Sequence, residues 1–275
     1  MKFAICHELF ENWSWEDQCR EIARLGYRGI EFAPFTLGRP PAAVSAGERK
    51  EIRETAEKHG LQLMGLHWLL AKTTGFHLTT ADAAVRAATA RYLVELAQLC
   101  ADFGGSVMVF GSPGQRSLEK GATWQRAFGN AVEVFRQAMP AIGDLGVTIC
   151  MEPLTPKETD FINTCGEATA MIWAVDHPNF QLHQDVKAML GGETTPIPAL
   201  IDRYKDVTKH FHVNDSNLLG PGMGETDYVP ILTALKNSGY DGWVSVEVFD
   251  YKPGAQRIAQ ESIEHLQQTL RTIGG

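Results

Sequence analysis

The stretch 148–154, Thr-Ile-Cys-Met-Glu-Pro-Leu, has the form of a short buried strand that ends on a carboxylate. Glu152 closes the apolar run, and Pro153 behind it cannot donate the next hydrogen bond of a ladder. Three later stretches repeat this form, at 180–186 with Asp185, at 209–215 with His212 and at 243–249 with Glu247. Four successive predicted strands therefore each carry one metal-ligand type of side chain at the same end.

The whole chain alternates strand and helix patterns in the same way. We predict eight strands, at 2–7, 29–32, 61–68, 106–110, 146–152, 180–186, 207–213 and 242–248. We predict a helix after each strand, at 15–25, 45–59, 79–103, 121–143, 165–176, 197–205, 228–238 and 254–272. Strands that alternate with helices indicate a parallel sheet.

Eight such units in a chain of 275 residues match a closed (β/α)8 barrel. We therefore predict an α/β protein with the TIM-barrel fold, as a single domain that spans 1–275. An open, doubly wound sheet is the alternative. The sequence carries no G-x-G-x-x-G motif after its first predicted strand, which disfavours that alternative.

Composition limits the partners and the compartment. The net charge of −8 disfavours nucleic acid or an anionic membrane as the main partner, so a small molecule is expected. The five Cys residues form no C-x-x-C pair, which predicts reduced thiols and a cytoplasmic location. We recognise no signal peptide at the start and no apolar run near the ~20 residues that span a bilayer.

Side chains at the carboxyl ends of barrel strands face one shared pocket. Glu152, Asp185, His212 and Glu247 are therefore expected to lie together. Three carboxylates and one imidazole suit one divalent ion, such as Mn²⁺, Co²⁺, Mg²⁺ or Zn²⁺. Removal of a proton from the carbon next to a carbonyl creates an enediolate, which such an ion stabilises as a Lewis acid. A second carboxylate on the opposite side can return a proton and invert the carbon.

Several motifs carry a family resemblance. They are Met151-Glu152-Pro153-Leu154, the Asp of Gln184-Asp185-Val186, the second His of His210-Phe211-His212, the loop from Gly220 to Gly224 with Asp227, and Ser245-Val246-Glu247. With them, the whole chain resembles the xylose isomerase-like superfamily of sugar isomerases and epimerases, which includes ketose 3-epimerases and hydroxypyruvate isomerase.

The resemblance implies functions for particular residues. Glu152, Asp185, His212 and Glu247 would bind one divalent ion. Glu152 and Glu247 would also exchange the substrate proton on opposite faces of a cis-enediolate, and Glu158 would contact the substrate. A homo-oligomer, either a dimer or a tetramer, is implied as well.

Two departures from the family pattern leave the substrate and the reaction open. Epimerases of this group carry a His and an Arg where this chain has Ala188 and Leu218. A sugar isomerase or epimerase is the first hypothesis. A metal-dependent lyase or dehydratase on a keto-sugar or an inosose is the second. A non-catalytic carbohydrate-binding barrel and an endonuclease IV-like enzyme are the remaining alternatives.

Further residues are candidates for the pocket because they follow strands. His67 could bond a substrate hydroxyl, Trp68 could stack on a sugar, and Lys187 shares strand parity with Asp185 and could act as an electrophile. Each could instead be a packing or surface residue. Four weaker candidates are His7, Glu31, which could contact substrate or brace a neighbouring strand, Ser112, and Arg116, which could meet a phosphate.

Overall fold

The computed structural model describes residues 1–274, which contain a closed barrel of eight parallel strands. The strands are β1 (Lys2–Cys6), β2 (Gly29–Phe32), β3 (Gln62–Leu66), β4 (Val107–Phe110), β5 (Thr148–Met151), β6 (Phe180–Asp185), β7 (Thr208–Val213) and β8 (Trp243–Val246). Each strand pairs with the next, and β8 pairs in parallel with β1, which leaves no free edge. The predicted (β/α)8 fold is confirmed, and the open-sheet alternative is wrong.

Helices cover the outside of the barrel. They are α1 (Trp15–Leu25), α2 (Ala46–Lys58), α3 (Ala83–Asp102), α4 (Trp124–Asp144), α5 (Cys165–Val175), α6 (Val186–Gly192), α7 (Ile197–Tyr204), α8 (Tyr228–Asn237) and α9 (Ala255–Thr272). The predicted ends of α1 agree with the structure, because the residues that cap this helix can be recognised in the sequence. Ser14 accepts the Asp17 N–H at 3.1 Å at the start of α1, and Gly26 ends that helix with a φ of 100°.

The short helix α6 is the main departure from the predicted element order. The strand predicted at 180–186 ends at Asp185, because the Asp185 carboxylate accepts the Ala188 N–H at 2.6 Å and caps the helix. Lys187 therefore lies in the first turn of α6 and not in a strand, so strand parity does not set the direction of its side chain. None of the helices in residues 1–274 is long and apolar enough to cross a bilayer.

The main apolar core lies between the strands and the helices. Phe135 of α4 illustrates it, with its ring centroid 5.3 Å from Phe110 and 4.5 Å from Phe180. A second, smaller cluster contains Ala4, Met64, Val107, Val109, Cys150 and Trp243. Strand alternation places Cys150 on the same face as Glu152, so this cluster fills the barrel interior beneath the site.

Removal of a core aromatic side chain is expected to weaken the fold. Phe135→Ala leaves a cavity between Phe110 and Phe180, and such a loss costs about 3–5 kcal/mol. Urea unfolding followed by circular dichroism measures it. Trp173→Ala is the control, since Trp173 is 73% exposed and a surface change costs within about 0.5 kcal/mol. Equal losses for the two variants would contradict this account of the core.

Candidate active site

The predicted ligands meet at the carboxyl end of the barrel. Glu152 follows β5, Asp185 ends β6, His212 lies in β7 and Glu247 follows β8, and all four side chains are buried. Single donor atoms of Glu152, Asp185 and His212 lie within 4.8 Å of one another. Glu247 joins them through His212, with its Oε2 atom 3.1 Å from the Nδ1 atom of His212.

His183, which was not among the ligands predicted from the sequence, belongs to the same group of donors as Glu152, Asp185 and His212. One of its ring nitrogens lies within 4.8 Å of the donors of Glu152, Asp185 and His212. Neither ring nitrogen has a hydrogen-bond partner in the described part of the chain. An unmade bond of a buried polar group costs about 1–3 kcal/mol. Strand parity could have found this residue, because His183 precedes Asp185 by two positions and shares its face.

The two glutamates lie in opposite electrostatic settings. Burial, and then the negative charges of Glu247 and Asp185, raise the pKa of Glu152 well above its usual value. Burial also acts to raise the pKa of Glu247, but His212 and His67 outweigh it and hold the pKa below the usual value. The difference follows from their neighbours, since Glu247 lies beside two imidazoles and Glu152 is close to two other carboxyl groups.

Besides His212, two side chains hold the Glu247 carboxylate in place. One oxygen, Oε1, lies 3.1 Å from the Nδ1 atom of His67 and accepts the Trp68 indole N–H at 3.0 Å. His67 in turn lies 2.9 Å, through its Nε2 atom, from the Glu8 carboxylate. A chain from Glu8 through His67 to Glu247 therefore fixes the direction of this carboxylate.

Glu31 orients the His212 ring from the other side. Its Oε2 atom lies 2.9 Å from the Nε2 atoms of both His210 and His212, and none of the three side chains is exposed. The Nδ1 atom of His212 is thereby directed toward Glu247. These contacts cross the barrel interior from β2 to β7, which is not a neighbouring strand, so they support neither of the two roles considered for Glu31.

These contacts fit a divalent ion. Buried carboxyl groups that raise one another's pKa are stabilised by a cation. Metal-ligating histidines commonly give their second nitrogen to a carboxylate, as His212 does with Glu31. The partnerless imidazole of His183 adds a free donor. The residues present therefore match the chemistry of a metal site.

The predicted substrate contacts line one pocket together with Glu152 and Glu247. This pocket includes His67, Trp68, Glu158 and Lys187. Lys187 donates to Glu158 at 2.8 Å, and its ammonium group lies 4.1 Å from the centre of the Phe249 ring. Trp68 has a φ of 52°, a left-handed backbone that is rare for a bulky residue. The indole is held by its bond to Glu247.

A wide cleft opens next to this pocket. It has a volume of about 880 Å³ and shares Trp68, Ser112 and Pro113 with the pocket. Its wall includes His7 and Tyr251. The imidazole of His7 stacks on Phe32 with the ring centroids 4.2 Å apart and lies 3.1 Å from the Gln18 side-chain oxygen, so it is held within the wall.

Arg116 does not face a phosphate site. Its side chain is fully buried and donates to the main-chain oxygens of Glu152 at 2.6 Å and Ile162 at 3.1 Å. The phosphate hypothesis for this residue is therefore wrong, because the side chain is buried and both terminal nitrogens donate to main-chain carbonyls. Ser112 accepts the Leu70 N–H at 3.2 Å and likewise supports a loop.

The sequence of the chain is similar to known proteins. A family model described as a xylose isomerase-like TIM barrel matches residues 19–269. Fructoselysine 3-epimerase of Escherichia coli O157:H7 is 22% identical over 275 residues, which cover 93% of each protein.

Solved structures share the fold. A crystal structure of D-psicose 3-epimerase in the presence of D-fructose superposes with a TM-score of 0.86 at 22% identity, over 100% of both chains. The 3-keto-D-glucoside 4-epimerase of E. coli superposes with a TM-score of 0.84 at 18% identity, over 98% of this chain and 99% of that one. Since the family model covers most of the sequence, the chain belongs to the xylose isomerase-like TIM-barrel family.

Proposed function

We propose that this protein is a divalent-metal-dependent sugar isomerase or epimerase. It would remove a proton from the carbon next to a carbonyl and return one, with a cis-enediolate as the intermediate. One observation carries the proposal: Glu152 and Glu247 line one pocket beside a buried group of metal-ligand side chains. Its relatives that are named as sugar 3-epimerases support the same reaction class.

The proposed metal ligands are Glu152, Asp185, His212 and Glu247, and the ion is Mn²⁺, Co²⁺, Mg²⁺ or Zn²⁺. A bound ion supplies Lewis-acid stabilisation of the negative charge that develops on the substrate oxygens. Asp185 is suited to a purely structural role, because its second oxygen already accepts the Asn214 amide at 2.5 Å. Glu31 holds His212 in the matching orientation.

Glu152 and Glu247 are the proposed proton-transfer groups. One glutamate, as the carboxylate, takes the proton from the substrate carbon, and the other, as the carboxylic acid, gives a proton to the opposite face. His67 and Trp68 keep Glu247 in a fixed direction, and Arg116 anchors the main chain at Glu152. Positioning of this kind lowers the barrier because the groups need not reorganise during the reaction.

The proposed substrate is a keto-sugar that is larger than a free ketohexose or carries a further group. Ala188 is buried and Leu218 is 42% exposed, so neither supplies the polar contact expected of a ketose epimerase. The 880 Å³ cleft beside the pocket offers room for an added group. Two relatives are named for sugars of this kind, fructoselysine and a 3-keto-D-glucoside. His67, Trp68, Glu158 and Lys187 are the proposed contacts.

A lyase or dehydratase on a similar keto-sugar or an inosose is the second candidate. It shares the first proton abstraction, and the absence of the epimerase His and Arg at positions 188 and 218 keeps this hypothesis open. Uptake of deuterium from D2O without release of a leaving group separates the isomerase from this enzyme. A non-catalytic carbohydrate-binding barrel would show neither. The homo-oligomeric state and the cytoplasmic location stay predictions.

One divalent ion per chain is expected on elemental analysis of the purified protein. Asp185→Asn should weaken ion binding at least ~10-fold, since it removes the negative charge and sets an amide NH2 against a donor, either the Ala188 N–H or the Asn214 amide. Isothermal titration calorimetry measures this. Asp202→Asn is the matched control, because the Asp202 side chain is 76% exposed on α7. Equal affinity in the two variants, or no binding by the unaltered protein, would refute the ligand assignment.

Glutamine substitutions separate ligation from proton transfer. Glu152→Gln and Glu247→Gln keep a ligating oxygen but remove the basic one, so most of the metal should stay bound. Turnover should fall ~10²–10⁴-fold, the usual size of an acid–base contribution. Steady-state rates and deuterium exchange measure it, with the surface variant Glu261→Gln as control. Near-normal turnover in both metal-loaded variants would move the base to His67, Glu158 or Lys187.

Substrate scope is the third expectation. Free fructose and tagatose should react poorly compared with a keto-sugar that carries an added group. A lost hydrogen bond to a substrate hydroxyl costs about 1–3 kcal/mol. The measurement is kcat/KM on each sugar, with the same metal loading. Values of ~10⁴ M⁻¹s⁻¹ or more on the free sugars, typical of an enzyme on its own substrate, would contradict this expectation.

A further inference from the structure

We propose that His183 is a direct nitrogen ligand of the divalent ion, so that the metal site contains two imidazoles rather than one. The inference rests on the proposed function, because it adds a ligand to the site assigned there. It concerns a residue that the sequence motifs of the family resemblance do not include.

The position of His183 places it against the other donors. Its Nε2 atom lies 4.0 Å from the Oε1 atom of Glu152, and its ring centroid lies 4.1 Å from that of His212. In the pairing of β6 with β7, His183 stands opposite His210 and Asp185 stands opposite His212. The register of this pair shifts between Leu182 and His183. Irregularities of this kind re-aim side chains near functional sites.

The missing hydrogen bonds of His183 point to an absent partner. Five histidines are buried in the described chain, at positions 7, 67, 183, 210 and 212. The other four each have a side-chain partner for at least one ring nitrogen, whether Gln18, Glu8, Glu31 or Glu247. His183 has none for either nitrogen among residues 1–274. A fully buried imidazole with a free lone pair, beside carboxylates and another imidazole, is suited to ligate a cation.

A second imidazole has two consequences. It favours Co²⁺ or Zn²⁺ over Mg²⁺, which prefers a set of oxygen ligands. With His183 as a ligand, four protein donors remain even when Glu247 does not bind the ion, namely Glu152, Asp185, His183 and His212. The hydrogen bonds of Glu247 to His67 and Trp68 could then direct it toward the substrate while the ion stays bound.

Counting the bound imidazoles tests the proposal. The full chain is loaded with Cu²⁺, and pulsed electron paramagnetic resonance reports the number of imidazole ligands. Two are expected in the unaltered protein and one in His183→Asn. By competition titration, the variant should lose at least ~10-fold in Co²⁺ affinity and less in Mg²⁺ affinity. His7→Asn is the control, since His7 is buried outside the donor group, and it should keep two imidazoles.

The outcomes separate this inference from the proposed function. An unaltered protein that binds Cu²⁺ with one imidazole overturns the role of His183 and leaves the proposed function standing. Unchanged Co²⁺ affinity in a folded His183→Asn protein does the same. A protein that binds no ion overturns both. If the variant does not fold, the imidazole count of the unaltered protein decides the question by itself.

Discussion

The buried carboxylate of Glu31 is the constraint on which the rest of the site depends. A charge with no exposure inside a barrel must be paired, and Glu31 is paired with two histidines of β7. These bonds fix the rotation of His212 and thereby the direction of its second nitrogen. The ring then sets where Glu247 lies, and His67 and Glu8 extend the same network to β3 and the turn after β1. Six side chains of the site thus form one connected set of hydrogen bonds above the smaller apolar cluster, namely Glu8, His67, Glu247, His212, Glu31 and His210.

This network explains why a closed barrel suits the chemistry. Its members come from five places around the ring, and no local segment could bring them together. Closure fixes the distances between strands, so each side chain needs only the correct face and height along its strand. The apolar cluster of Ala4, Met64, Val107, Val109, Cys150 and Trp243 supports the polar layer from below and excludes water from it.

The fold and much of the site could be predicted from the sequence, for physical reasons. The period of the apolar runs indicated strands and helices, and strand ends in a barrel converge, so Glu152, Asp185 and His212 could be placed together. Helix α6 was missed because it is short and begins directly after Asp185, the residue that ends β6. Hydrogen-bond partners were missed too. Nothing local to Arg116 indicates that it binds the carbonyls of Glu152 and Ile162, or that His183 is left without a partner.

The double position of Asp185, as the end of β6 and the cap of α6, links ion chemistry to backbone order. One carboxylate oxygen holds the first turn of the helix that carries Lys187, and the other accepts from Asn214. A cation bound to this carboxylate draws electron density from it and weakens the hydrogen bond that it accepts from the Ala188 N–H. Binding of the ion would therefore change the order of the first turn of α6, which carries Lys187 in the pocket wall. Amide exchange in the first turn of α6 would report on it, far more locally than melting of the whole protein.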